Sequence, residues 1–115
     1  MNFYLIVRSV FSAAHKLRNL SGDEEVHGHN YRVEVFIKEE KINNLGYQFD
    51  FREVENYLKN ILPDHKFLNE IFDFVPTCEN IARYLFNKIK EKYPIIKIRV
   101  WENERYACEY EEDTA

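Results

Sequence analysis

The sequence predicts an α+β fold in which an antiparallel sheet carries two helices on one face. Four segments alternate apolar and polar residues as strands do, and two segments have the apolar spacing of amphipathic helices. The helical segments lie between the second and the third strand, so the order is β-β-α-α-β-β. With 115 residues, the chain has the length of one domain, which we assign to residues 1–115.

The first two strands lie in the N-terminal third of the chain. The segment Phe3 to Phe11 is rich in aromatic and β-branched residues, although its alternation is imperfect. Residues 16–26 are polar and contain Ser21-Gly22-Asp23, which predicts a loop. In the second strand, apolar residues alternate with polar ones: Tyr31, Val33, Val35 and Ile37. Residues 43–46 then have the composition of a turn.

Two helices follow, each with a predicted cap. Asp50 can cap the first helix, and Glu53 can reach back to complete a capping box. The buried face of this helix has apolar residues at helical spacing: Val54, Tyr57, Leu58, Ile61 and Leu62. Pro63 ends it, and the second helix begins after Pro76-Thr77 and ends near Tyr93-Pro94. Its predicted buried face consists of Ile81, Ala82, Leu85, Phe86 and Ile89.

The last two strands form a predicted hairpin. Ile96, Ile98 and Val100 alternate with Lys97, Arg99 and Trp101 in the third strand. Residues 103–105 make a turn into the fourth strand, Tyr106 to Tyr110. The acidic tail from Glu109 to Asp113 is expected to be a solvated end.

Composition excludes several classes of function. The net charge is −4, and basic residues are interleaved with acidic ones, so we expect no nucleic-acid partner. No apolar run approaches the roughly 20 residues that span a bilayer, so we expect no membrane segment. Cys78 and Cys108 show no disulfide framework and no C-x-x-C spacing, which is typical of reduced thiols in a cytoplasmic protein.

Three of the four histidines lie at the ends of the first two strands. His27 and His29 are two residues apart, so in a strand their side chains point to the same face. If the two strands pair as a wide hairpin, His15 reaches the same place. Three neutral imidazoles suit Zn²⁺ and leave a fourth position open. The alternative is that these are ordinary surface or hydrogen-bonded core histidines.

A series of motifs resembles the 6-pyruvoyl-tetrahydropterin synthase and 6-carboxytetrahydropterin synthase family. The motifs, in chain order, are residues 11–17 (FSAAHKL), 27–31 (HGHNY), 50–51 (DF), 64–69 (DHKFLN) and 76–80 (PTCEN), followed by Glu102. They cover nearly the whole chain, in order and with the spacing of both helices. The resemblance implies the tunnelling fold, in which the sheets of several subunits join into a barrel, usually as a homohexamer built from two trimers.

The resemblance also implies a zinc enzyme that acts on 7,8-dihydroneopterin triphosphate. Zinc would be held by His15, His27 and His29. Glu102 would anchor the pterin ring, and Thr77 and Glu79 would help to frame the pocket. Asp64 and His65 would form a proton-transfer pair. From its own position, Glu102 is interpreted either as a solvated strand-end residue or as a carboxylate on an apolar face, where it needs strong hydrogen bonds.

One departure from the family pattern bears on the reaction. Pyruvoyl- and carboxy-forming members have a cysteine four residues before the first histidine of His-Gly-His, where this chain has Asp23. Glu24, three residues before His27, resembles a subgroup in which glutamate replaces cysteine. That subgroup cleaves the side chain by a retro-aldol step and leaves 6-hydroxymethyl-7,8-dihydropterin, a folate-type precursor. Glu24 or the Asp64/His65 pair would then move the protons.

Several alternatives remain open from the sequence. The protein could instead form 6-carboxytetrahydropterin for deazapurine (queuosine-type) synthesis, with a carboxylate in place of the thiol. From another class, it could be a zinc- and pterin-binding module without turnover. Either Asp23 or Glu24 could take the place of the cysteine, and their acidic loop could also be merely solvated. The triphosphate-binding residues are not identifiable from the sequence.

Overall fold

A five-stranded sheet with three helices forms the framework of the protein. The computed structural model describes residues 2–19 and 22–112. The sheet order is β5-β1-β4-β6-β7, and β2 and β3 form a separate two-stranded ribbon. The elements in chain order are β1 Phe3–His15, β2 Arg18–Asn19, β3 Gly22–Asp23, β4 His27–Glu39, α1 Phe51–Ile61, β5 Lys66–Phe67, α2 Leu68–Ile71, α3 Cys78–Lys90, β6 Ile95–Trp101 and β7 Ala107–Glu111.

The long hairpin of β1 and β4 is the centre of the sheet. The two strands pair antiparallel without interruption from Phe3 opposite Glu39 to His15 opposite His27. Alternate residues of β4 are fully buried because they face the helices: Tyr31, Val33, Val35 and Ile37. The buried residues of α1 and α3 pack on this face, so one core lies between the sheet and the helices. The α+β class and the arrangement of helices on one face are confirmed.

The helix caps agree with the sequence in part. The Thr77 side chain accepts a hydrogen bond from the Asn80 N–H and caps α3, as predicted. The Asp50 side chain caps α1 by accepting from the Arg52 N–H, but Glu53 makes no reciprocal bond in the described part of the chain. The Asp50 side chain thus caps the helix by accepting from the residue two positions later, and the described residues form no capping box. Helix α3 ends at Lys90, before the predicted end near Tyr93-Pro94.

Three short elements differ from the sequence prediction. The predicted loop 16–26 contains β2 and β3, which pair Arg18 with Asp23 and Asn19 with Gly22; Ser21 lies outside the described residues. The two-residue strand β5 pairs parallel with Ala13 and Ala14 of β1, and the four-residue helix α2 follows it. Elements this short are fixed by contacts with the rest of the fold, because they are too short to show a period of their own.

Two backbone edges of the sheet carry no partner strand in the described chain. β5 covers β1 at Ala13 and Ala14, and Asp64 and His65 bond the backbone of Ser12, so the edge from Phe3 to Phe11 has no partner strand among the described residues. β7 forms the opposite edge. Exposed strand edges are usually covered or blocked in proteins. None of the described helices is long and apolar enough to cross a membrane.

Candidate functional site

The pairing of β1 with β4 brings three histidines together at one end of the sheet. His15 lies directly opposite His27, and Ala13 lies opposite His29. Because side chains alternate along a strand, His27 and His29 share the helix-facing side with His15. The small Ala13 leaves room beside His29. Their convergence therefore follows from register, as the sequence predicted.

The three imidazoles have the spacing of a metal site. One ring nitrogen of each histidine lies within 4.8 Å of the others, and the ring centroids are 4.6, 5.0 and 4.8 Å apart. Four ligands at zinc–nitrogen distances of about 2.0–2.1 Å in a tetrahedron stand about 3.3 Å from one another. The cluster of His15, His27 and His29 can therefore hold a metal ion.

The outer nitrogens of two histidines are fixed by backbone carbonyls. His15 Nδ1 donates to the Pro76 carbonyl at 3.0 Å, and His27 Nδ1 donates to the Glu25 carbonyl at 3.0 Å. A carbonyl only accepts, so each Nδ1 carries the proton and each Nε2 presents a lone pair. Those two Nε2 atoms are 3.0 Å apart. Two facing lone pairs repel one another, and a bound cation removes that repulsion.

His29 supplies the third inward nitrogen. Its Nε2 is buried and has no hydrogen-bond partner among the described residues. Leaving such a group unpaired costs about 1–3 kcal/mol. Burial lowers the pKa of His29, against the opposing effect of the Glu102 carboxylate. The ring is thus kept in the neutral form that a metal ion requires.

A tyrosine packs beneath the cluster. The Tyr31 hydroxyl lies 3.2 Å from His15 Nδ1, and its ring stacks on Phe11 with centroids 4.7 Å apart. Burial raises the pKa of Tyr31, so the hydroxyl stays protonated. Neither this support nor the carbonyls of Pro76 and Glu25 could be predicted from the sequence. Every residue has a backbone carbonyl, so the residue type does not show which carbonyl will bind a histidine. The sequence pattern identified Tyr31 only as a core residue.

Glu102 is the carboxylate nearest to the cluster. Its Oε1 lies 3.4 Å from His15 Nε2 and 3.5 Å from His29 Nε2. Glu102 follows the last residue of β6, and its N–H donates to the Tyr106 carbonyl across the hairpin turn. The side chain is half-buried, so it is not the fully solvated strand-end residue that the sequence left open. It forms one wall of the space above the histidines.

Thr77, Cys78 and Glu79 lie at the start of α3. The Thr77 hydroxyl is engaged as the helix cap, and Glu79 is half-buried in the first turn. The Cys78 thiol donates to the Val100 carbonyl at 3.0 Å. Interaction with Cys108, together with burial, raises the pKa of Cys78, which makes its thiol a poor nucleophile.

Asp64 and His65 form a contact pair at the other edge of β1. His65 Nδ1 lies 2.8 Å from Asp64 Oδ2, and Asp64 Oδ1 accepts from the Ser12 N–H at 2.8 Å. The Ser12 N–H and the His65 ring lower the pKa of Asp64. His65 has a positive φ of 58°, and its side chain is 84% exposed. No hydrogen bond or ion pair joins this pair to the histidine cluster within the described chain.

Glu24 closes the loop beside the cluster. Its N–H donates to the Leu17 carbonyl at 2.8 Å, and its Oε1 accepts from the Leu17 N–H at 3.2 Å. Its charge raises the pKa of His29, although this is the smallest of the causes that act there. Glu24 therefore lies near the site but also holds the loop together. The side chain of Asp23, the alternative candidate, lies outside what the structure describes.

Comparison with known families identifies the chain. Residues 4–113 match the family model for 6-pyruvoyl tetrahydropterin synthase. The chain belongs to this family. The resemblance stated from the sequence motifs is thereby confirmed, and the family is one of pterin-synthesising enzymes.

The relatives of this pterin synthase family member are named for different reactions. It is 32% identical to the dihydroneopterin monophosphate aldolase of Pyrococcus furiosus, over 96% of this chain and 99% of the relative. It is 36% identical to a putative 6-carboxy-5,6,7,8-tetrahydropterin synthase of Archaeoglobus fulgidus, over 85% and 86%. It is 28% identical to human 6-pyruvoyl tetrahydrobiopterin synthase, over 90% and 87%.

Solved structures share the fold. The Caenorhabditis elegans 6-pyruvoyl tetrahydropterin synthase superposes with a TM-score of 0.82 at 23% identity, covering 98% of this chain and 97% of that chain. The Plasmodium vivax enzyme superposes with a TM-score of 0.81 at 18% identity, covering 99% of both chains. These neighbours confirm the tunnelling fold.

We expect His27→Ala to remove the metal ion while the fold persists. The substitution deletes one of three ligands, whereas β4 remains paired with β1 and β6. Metal content after dialysis should fall from about one divalent ion per chain to a small fraction, and circular dichroism should change little. His65→Ala, which replaces the histidine outside the cluster, is the control and should keep its metal. Equal metal content in both variants would contradict the assignment.

Proposed function

We propose that this protein is a zinc-dependent lyase that cleaves the side chain of a phosphorylated 7,8-dihydroneopterin. The products would be 6-hydroxymethyl-7,8-dihydropterin and a two-carbon aldehyde that keeps the phosphate. The observation that carries the proposal is the set of inward nitrogens of His15, His27 and His29, beside the Glu102 carboxylate. Zinc bound there would act as a Lewis acid toward the hydroxyl groups of the side chain.

The bond changes define what the residues must do. A base removes the proton of the 2′-hydroxyl, and the C1′–C2′ bond breaks as the C2′ oxygen becomes an aldehyde. The electron pair is taken up by the C6–N5 imine of the dihydropterin ring, and a proton then returns to C1′. The chain must therefore orient the ring and supply one base and one acid.

Glu102 is suited to orient the ring. The amino-pyrimidinone edge of a pterin offers two adjacent N–H donors, which one carboxylate accepts as a pair. Its half-buried position beside the histidines makes this interaction stronger than it would be in water. Thr77 and Glu79, at the start of α3, are proposed to frame the same pocket.

The absence of a suitable thiol favours cleavage over formation of the carboxy or pyruvoyl product. No cysteine occurs in residues 16–26, and the Cys78 thiol donates to a strand carbonyl with its pKa raised. The aldolase relative, which matches nearly the full length of both chains, supports the same choice. The second candidate is 6-carboxytetrahydropterin formation, which the 36% identical Archaeoglobus relative favours.

Product analysis tests the reaction. We expect zinc-loaded protein to convert dihydroneopterin phosphate into 6-hydroxymethyl-7,8-dihydropterin and the phosphorylated aldehyde in equal amounts, as identified by mass spectrometry. The metal-free protein should be inactive, because the 2′-hydroxyl then lacks its Lewis acid. A 6-carboxy or 6-pyruvoyl product would overturn the proposal, and binding without any product would indicate a pterin-binding module.

We propose that Glu24 or the Asp64/His65 pair transfers the protons. Glu24 lies within one chain on the loop before His27, and its charge raises the pKa of His29. A glutamate is also the residue replaced in a Plasmodium vivax synthase variant that is described as a catalytic residue mutant. Asp64 and His65 lie at the sheet edge beside β1, where His65 lines a groove that also includes His29.

Glu24→Gln should lower kcat by roughly 10²–10⁴-fold, the usual scale for loss of a general acid or base. Glutamine keeps an oxygen that can accept from the Leu17 N–H, so the loop should stay closed. Zinc content and substrate affinity should change little. Asp23→Asn is the matched control and should be nearly silent. A silent Glu24→Gln with an impaired Asp23→Asn would move the role to Asp23, and two silent variants would leave it to Asp64 and His65.

We propose that the protein assembles as a homohexamer of two trimers in which neighbouring subunits cover the sheet edges. The edges at Phe3 to Phe11 and at β7 have no partner strand among the described residues. Exposed apolar side chains on β1 support this, namely Tyr4, Ile6 and Val10. Sedimentation at working concentration should give a hexamer, and a monomer would contradict the proposal.

A further inference from the structure

The two cysteines of the chain meet between α3 and β7, although they are far apart in the sequence. Cys78 is the first residue of α3, and its Sγ lies 3.0 Å from the Val100 carbonyl oxygen. Cys108 lies directly opposite Val100 in the pairing of β6 with β7. Partner residues of antiparallel strands have Cα atoms about 4.5–5.5 Å apart. The strand register therefore brings Cys108 to the place where the Cys78 thiol contacts the sheet.

Both thiols face the contact between α3 and the sheet, and neither is fully buried. Cys108 and Tyr110 are the half-buried residues of β7, whereas the residues between and beside them are exposed. Both cysteines pack against the hydrophobic core, and their thiols are within hydrogen-bonding distance of each other. A cavity of about 220 Å³ lies between α3 and β7, lined by the residue that follows each cysteine, Glu79 and Glu109. A small solute can therefore approach the pair.

The contact makes one thiol a better nucleophile than the other. When Cys108 ionises, the Cys78 S–H can turn from the Val100 carbonyl to the new thiolate. This hydrogen bond lowers the pKa of Cys108, against the opposing effects of burial and of the Glu79 and Glu102 charges. The thiolate is the form that attacks a disulfide. Cys108 is therefore suited to attack first and Cys78, whose pKa is raised, to act second. The proposed lyase reaction uses neither sulfur.

We infer that Cys78 and Cys108 form a reversible disulfide that fastens the start of α3 to β7. The oxidant is a low-molecular-weight disulfide, RSSR. The Cys108 thiolate attacks one sulfur of RSSR, so a mixed disulfide forms and RS⁻ leaves with the proton that Cys108 lost. Cys78 then gives up its proton and attacks Cys108 Sγ, and the second RS⁻ leaves with that proton. The protein loses two hydrogens, and RSSR becomes two RSH.

The cross-link is connected to the metal cluster through the backbone on both sides. Pro76, two residues before Cys78, accepts from His15 Nδ1 at 3.0 Å. On the strand, Glu102 follows two residues after Val100, whose carbonyl loses its thiol donor on oxidation. A segment that is tied to β7 opens less often than one held by non-covalent contacts. The disulfide should therefore keep the Pro76 carbonyl on His15 and slow the loss of a bound metal ion. This consequence rests on the zinc of the proposed function.

Thiol counting and mass spectrometry test the disulfide, because the chain has only these two cysteines. Zinc-loaded protein is incubated with excess oxidised glutathione, quenched in acid and denatured without reductant. The wild type should lose both free thiols and two hydrogens in mass, carry no glutathione and remain a single chain on a non-reducing gel. Dithiothreitol should restore both thiols. Cys78→Ser should instead retain glutathione on Cys108, because nothing resolves the mixed disulfide.

Melting temperature and zinc release test what the bond does. The oxidised wild type should melt roughly 10 °C above the reduced wild type, because the bond closes a long loop of the unfolded chain. It should also release zinc to a chelator several-fold more slowly. Cys108→Ser, treated with the same glutathione buffers, is the matched control and should show neither change.

The contrary outcomes separate the parts of the inference. A stable glutathione adduct on the wild type, two unreacted thiols or a disulfide between chains would overturn it. A lower melting temperature after oxidation would overturn it as well, because the bond would then distort the start of α3. Unchanged zinc release would refute the connection to the metal cluster. If the protein binds no zinc, the proposed function fails, whereas the thiol count and the melting temperature still decide whether the disulfide forms.

Discussion

The convergence of three imidazole nitrogens is the constraint on which the site depends. Two of them present lone pairs to each other at 3.0 Å because carbonyls of Pro76 and Glu25 hold the opposite ring nitrogens. The third, on His29, is buried without a hydrogen-bond partner among the described residues. Each feature is unfavourable alone, and one cation relieves all of them. The hairpin of β1 and β4 holds the three rings in this arrangement through its own backbone pairing.

The two faces of the sheet differ near the histidine cluster. On the helix side, Tyr31 and the start of α3 form a packed support beneath the rings. On the other side of the sheet, carboxylates pair with described cations of β1, β4 and β6, namely Arg8, Lys38, Lys97 and Arg99. His29 and Glu102 line one cavity at the end of β4. The space exists because β6 pairs with β4 only as far as Arg32 opposite Trp101, whereas β4 begins at His27.

Much of the fold was predictable because long elements show their period. The alternation in Tyr31 to Ile37 identified β4, and the spacing of apolar residues identified α1 and α3. Thr77 was predictable as a cap from its residue type. The ribbon of β2 and β3, the strand β5 and the helix α2 were not, because each has only two to four residues. Packing rather than periodicity fixes elements of that length.

The sequence by itself determined the class of fold, the family and which three histidines come together, since these depend on residue types at fixed spacings. Tertiary structure decided which groups share a space. It placed Glu102 at 3.4 Å from His15 and kept Asp64 and His65 at the far edge of β1. These relations depend on strand register and on where strands end, which arise from long-range pairing and have no local sequence signal.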